Sequence, residues 1–163
     1  VRNAIVLAGA VIVLAVANIG IYQKEQLLAH GRVVMLELAP VDPRSLMQGD
    51  YMALRFRVAS EALGAQSPDT NRDGRLVLTL DAQRVGHFLR FDDGQPIEPG
   101  HVAVRWRVRG GTPKFATNAF FFQEGTGDSY ARARYGEFRV GTDGDMVLTA
   151  LRGEKMEVLG PPR

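Results

Sequence analysis

A chain of 163 residues has room for one domain of ordinary size. With 45% apolar and 23% charged residues, it is composed neither as a disordered tail nor as a multi-pass membrane protein. The absence of cysteine excludes a disulfide framework, a cysteine nucleophile and any thiolate metal site. Twenty basic residues against 18 acidic ones, mixed along the chain, leave a net charge of +2 and no case for nucleic-acid binding.

The first element is a run without charge, Asn3 to Gln23, dominated by Ala, Val, Ile and Leu. At 1.5 Å per residue it reaches about 30 Å as a helix, the thickness of a bilayer's hydrocarbon core. Ala4 to Val16 lacks the polar face that a soluble helix needs. Ala15-Val16-Ala17 offers a competing signal-peptide cleavage site, but the apolar character continues past it through Ile19, Ile21 and Tyr22. The pattern then turns amphipathic, with Leu27 and Leu28 ahead of Gly31, a C-terminal stop. The expectation is a retained single-pass anchor within residues 1–31, with residues 3–23 in the lipid bilayer, and a separate domain over 32–163. Arg2 on one side and Lys24, Glu25 and Arg32 on the other do not set the orientation. The usual arrangement of a single N-terminal anchor, domain outside, is adopted.

Beyond Gly31 the periodicity becomes alternating. Residues 32–38, 50–58, 75–80, 85–91, 102–109, 116–122, 137–140 and 146–151 are strand-length runs rich in Val, Leu and Phe, separated by Gly, Pro and Asp turn signals. Residues 128–135, opening on Asp128-Ser129 and closed by Gly136, read as the single short helix. This predicts a mainly-β domain, α+β overall, built as a sandwich or a bent sheet. Period two puts Met52, Leu54, Phe56 and Val58 on the core face of their strand, and Val102, Val104, Trp106 and Val108 on the core face of theirs. The opposite faces carry Tyr51, Arg55 and Arg57, and Arg105, Arg107 and Arg109. If the two strands share a sheet, these arginines form one basic face suited to acidic partner loops or lipid headgroups.

Gly49-Asp50-Tyr51-Met52-Ala53-Leu54-Arg55-Phe56, approached through Pro40-Val41-Asp42-Pro43-Arg44-Ser45, resembles the signature of the GDYXXLXY family of bacterial proteins. A second match runs through Glu124-Gly125-Thr126-Gly127, Tyr130 and Ala133-Arg134-Tyr135-Gly136-Glu137. Phe56 replaces the final Tyr of the motif, keeping the ring and losing the hydroxyl. The resemblance covers nearly the whole chain. It implies a protein anchored in the bacterial inner membrane, without an assigned activity and partnered by a multi-pass membrane protein. It supplies no catalytic residue. On its own chemistry, Gly49 suits a turn at positive φ, and Asp50 can bond nearby N–H groups to fix that turn.

Other chemistry finds little foothold. The stretch Asp42 to Asp50 loosely resembles the Gly-Asp turn of serine–lysine proteases, but Val41 stands where the nucleophile is needed. Asp69 to Gly74 opens like a calcium loop, yet its twelfth position is Leu80 instead of a bidentate Glu, so a polar hairpin loop is expected. His30, His87 and His101 are scattered singly, without the spacing of a zinc site. No metal and no cofactor is therefore expected. The function expected is that of a non-catalytic accessory or interaction subunit, with Tyr51, Arg55, Arg57, Arg105 and Arg107 meeting the partner. Two alternatives stay open: an enzyme using Asp50, Tyr51 and Glu124, and an envelope module binding an ion or ligand.

Overall fold

A computed structural model describes residues 2–39, 47–48, 51–65 and 71–161. The apolar run forms helix α1, Arg2–His30, whose segment from Val6 is long and apolar enough to cross a membrane. Over most of this length it stands clear of the rest of the domain: Val6, Val11 and Leu14 are each more than 60% exposed. Only its last turns meet the rest of the chain. Gly31 is the one residue between α1 and the first strand, and it is held from two sides. Its N–H donates to the Leu27 carbonyl, and Arg139 Nη1 donates to its own carbonyl at 3.2 Å. A Cβ here would run into the Leu27 carbonyl and the Arg139 side chain, so the junction takes glycine for space.

The strands that follow are β1 (Arg32–Glu37), β2 (Met47–Gln48) and β3 (Tyr51–Ala53), then helix α2 (Arg57–Ala65). After it come β4 (Asn71–Leu80), β5 (Gly86–Phe91), β6 (His101–Arg109), β7 (Thr112–Lys114), β8 (Ala119–Phe121), β9 (Tyr135–Val140) and β10 (Met146–Arg152). They assemble into three antiparallel sheets in the orders β1-β9-β10, β2-β3-β8 and β5-β4-β6-β7. The fold is mainly β with α+β character, as the periodicity predicts. A single apolar core joins the sheets: Val34 and Leu36 from β1, Leu76 and Leu78 from β4, Val104 and Trp106 from β6, and Phe138 and Val140 from β9.

Three elements depart from expectation. Residues 50–58 are not one strand: β3 stops at Ala53, Phe56 forms an isolated bridge with Leu38, and α2 starts at Arg57. The expected burial nevertheless holds, with Met52, Leu54, Phe56 and Val58 all buried. Ala59 and Ala62 then continue the apolar stripe at helical spacing, while Arg57 and Glu61 pair across one helical turn at 3.4 Å. Second, β4 begins at Asn71, so Asp73 and Gly74 lie in a strand, opposite Arg107 and Trp106 of β6, instead of a hairpin loop. Asp69 and Thr70 lie outside the described residues. Third, the expected helix over 128–135 shrinks to a 3-10 turn, Gly127–Tyr130, without a side-chain cap, because Tyr135 is already paired in β9.

The β4–β5 connection shows how a polar turn is stabilised here. Asp81 Oδ1 accepts the N–H groups of Gln83 and Val85 at 2.9 and 2.8 Å, and His87 lies 3.5 Å from Oδ2. Partial desolvation pushes this carboxyl up, but the bonds from Val85, His87 and Gln83 outweigh it and hold it below its ordinary value. A depressed carboxylate contributes stability above its unfolded value and loses it as the pH falls through the folded one. Thermal unfolding should therefore separate Asp81→Asn from the parent at neutral pH. The gap should close in acid below the ordinary carboxylate value of 3.8. A constant gap would mean the ionised form is not what matters.

Candidate functional site

The two motif stretches meet in the core. Leu54 and Phe56 are buried, and the Phe56 ring packs edge-on against Phe115 and Phe138, with centroids 5.8 and 5.4 Å away. Gly136 lies against the same ring: a Cβ there would stand 3.2 Å from Phe56 and 3.1 Å from Phe138, so its lack of a side chain lets the stretches touch. Next to it, buried Glu137 accepts from Thr149 Oγ1 at 3.0 Å and from Arg152, whose Nη1 also donates to the Met156 carbonyl. Tyr135 faces Glu37 and Arg152 across β9's two neighbours. Glu124 is exposed beside Gly125, which sits at φ +78°. Tyr130 is buried between Phe120 and Phe122. Gly49 and Asp50 lie outside the described residues.

One motif residue reaches the surface with an aromatic neighbour. Tyr51 on β3 is directly opposite Phe121 on β8, the ring centroids 5.7 Å apart, and Phe121 is 74% exposed. The sequence pattern did not single out Phe121. Its signal is the triple Phe120-Phe121-Phe122, in which alternation leaves the middle ring outside while its neighbours pack on Tyr130.

The single basic face does not form, because its members belong to different elements. Arg55 is exposed in the link after β3, and Arg57 sits on α2, paired with Glu37 at 3.1 Å and with Glu61. Arg105, Arg107 and Arg109 stand on β6, in another sheet. There Arg105 pairs with Asp143 and Asp145, at 3.3 and 3.0 Å, and Arg109 binds both oxygens of Asp73. The Arg109 bonds hold the Asp73 carboxyl below its ordinary value. Ala103, on the same face of β6 as these arginines by period two, is buried: the Gly141–Asp145 hairpin closes over it, the Gly144 carbonyl accepting the Arg105 N–H at 2.9 Å. Among the described residues no group of three His, Cys, Asp or Glu side chains is placed to hold a metal ion.

Scanned against known families, residues 13–151 match the one described as "GDYXXLXY protein". The chain belongs to the GDYXXLXY family. It matches no curated protein and no solved structure. In this GDYXXLXY protein the fourth named position, Leu54, and the fifth, occupied by Phe56 instead of Tyr, are core residues, whereas the third, Tyr51, borders the exposed Phe121. The motif thus ties the inside of the domain to one aromatic spot on its surface.

Proposed function

We propose that this GDYXXLXY protein is an accessory subunit anchored in the bacterial inner membrane. Its mainly-β domain lies on the periplasmic or outer side and docks onto a multi-pass membrane partner. The observation that carries this reading is α1: an apolar helix whose Val6, Val11 and Leu14 side chains stand more than 60% exposed, the length and composition of a bilayer span. The exposed Phe121 beside Tyr51 supports the docking part, since aromatic rings are frequent interface anchors.

Alkaline carbonate extraction should leave the intact chain in the membrane pellet. A soluble form starting near Asn18 would show cleavage after Ala17 and remove the anchor. Photo-crosslinkers at positions 51 and 121 should each capture a polytopic membrane protein, identified by mass spectrometry, and Phe121→Asp should abolish the adduct from position 51 while leaving the stability within about 0.5 kcal/mol of the parent. Absence of any adduct from both positions would leave the domain without the proposed docking spot.

A further inference from the structure

A cleft of about 650 Å³ opens between the end of α1 and the outward face of the four-stranded sheet. Its lining is basic: Lys24 from α1, Arg75 from β4, Arg105 and Arg107 from β6, and Lys114 from β7. Asp73 and Asp145 are the carboxylates among the described lining residues. The sheet register sets like charges face to face, Arg75 opposite Arg105 and Arg107 opposite Lys114. Such pairs are unfavourable unless something negative lies near them.

For three of the five the chain supplies it. Arg75 pairs with Asp92 at 2.6 Å, Arg105 with Asp143 and Asp145, and Lys24 with Asp145 at 3.6 Å. Arg107 faces Asp73, but Arg109 already occupies both oxygens of that carboxylate, at 2.6 and 3.0 Å. Among the described residues neither Arg107 nor Lys114 has an ion pair, and both are exposed. The cleft therefore ends in two opposed cations whose one facing carboxylate, Asp73, is already bound by Arg109, so negative charge is in short supply there.

Its position says where that charge comes from. Lys24 is the first charged residue after the charge-free run, so the cleft opens at the level where α1 leaves its apolar stretch. Tyr22 and Gln23, the last residues of that run, line the adjoining cavity together with the exposed Ile97. Aromatic and basic groups at this depth are the usual company of lipid headgroups. We propose that the cleft holds the phosphate of an anionic phospholipid, with Arg107 and Lys114 as its principal contacts. The guanidinium fork of Arg107 suits two phosphate oxygens and the Lys114 ammonium supplies a point charge. This site rests on the anchored reading above.

The test uses the full-length chain in vesicles of phosphatidylcholine, with and without phosphatidylglycerol. Flotation is recorded first; the chain is then released into neutral detergent and its retained lipids are counted by native mass spectrometry. The parent should keep phosphatidylglycerol in preference to phosphatidylcholine. Arg107→Gln with Lys114→Gln should lower that preference about ten- to thirtyfold, the scale of about 1 kcal/mol for each basic group at an anionic surface. Arg107→Lys with Lys114→Arg, which keeps the charges, should retain it, as should Arg90→Gln, whose parent arginine pairs with Asp93 outside the cleft. Equal preference in the parent and the glutamine variant overturns the site. Displacement of the lipid by added inorganic phosphate marks a soluble-anion site and overturns the headgroup assignment. Failure of the parent to float with either vesicle removes the anchored reading, and the lipid site with it. Flotation with no lipid preference removes the lipid site alone.

Discussion

Phe56→Ala should destabilise the domain by about 3–5 kcal/mol, the range for deleting a fully buried aromatic side chain. Phe56 is 2% exposed, and its ring is held from two separate places in the chain: Phe115, and the strand β9 through Phe138 and the bare backbone of Gly136. Phe138 and Gly136 belong to the central strand of their sheet, so they cannot close over the hole without breaking the ladders to β1 and β10. A loss of that size is a large share of the stability of an ordinary domain. Urea unfolding of the full-length chain in mild detergent, followed through the fluorescence of its one tryptophan, Trp106, measures it. Phe121→Ala is the comparison: at 74% exposure it should stay within about 0.5 kcal/mol of the parent. Equal losses at the two positions would overturn the assignment of Phe56 to the core.

Glu137→Ala should be the next most damaging change, at about 2–4 kcal/mol. The carboxylate is nearly buried on β9 and satisfies both Arg152 and the Thr149 hydroxyl. Its removal leaves Arg152, whose side chain is only 25% exposed, without its counter-charge. Most of the cost is that stranded cation and not the lost attraction, since a buried pair repays little beyond its own desolvation. Arg152→Met in the Glu137→Ala background should therefore recover part of the stability. A double-mutant cycle by urea unfolding gives the coupling directly. A double variant less stable than either single one would show that the pair acts mainly through its packing.

Strands whose side chains alternate cleanly were legible in the sequence. β6 is the plainest, with Val102, Val104, Trp106 and Val108 buried and Arg105, Arg107 and Arg109 outside. β1, β5, β9 and β10 fall within a residue or two of their apolar runs. The burial of Phe56 and Val58 was legible too, but their conformation was not. Period two and the first turn of an amphipathic helix predict the same inward residues over so short a stretch, and the decision is made further on by Ala59 and Ala62. Asp73 and Gly74 carry turn chemistry in isolation and become strand because β6 continues opposite them as far as Arg109. The aromatic spot at Tyr51 and Phe121 depends on β3 pairing with β8, contacts separated by about 70 residues that no local pattern encodes.

The one-residue junction at Gly31 makes α1 a spindle and not a tether. With Arg139 bonded to the Gly31 carbonyl and Lys24 paired with Asp145, the domain cannot swivel freely beneath the helix. Its compass heading is inherited from the helical phase. Each residue added to or removed from α1 would turn the Tyr51–Phe121 spot through about 100° and shift it about 1.5 Å along the axis. Four residues would carry it round past its starting heading by about 40°. Any neighbour that grips one stripe of α1 also aims the domain, so contacts made along the helix and contacts made at the Tyr51–Phe121 spot are geared to each other.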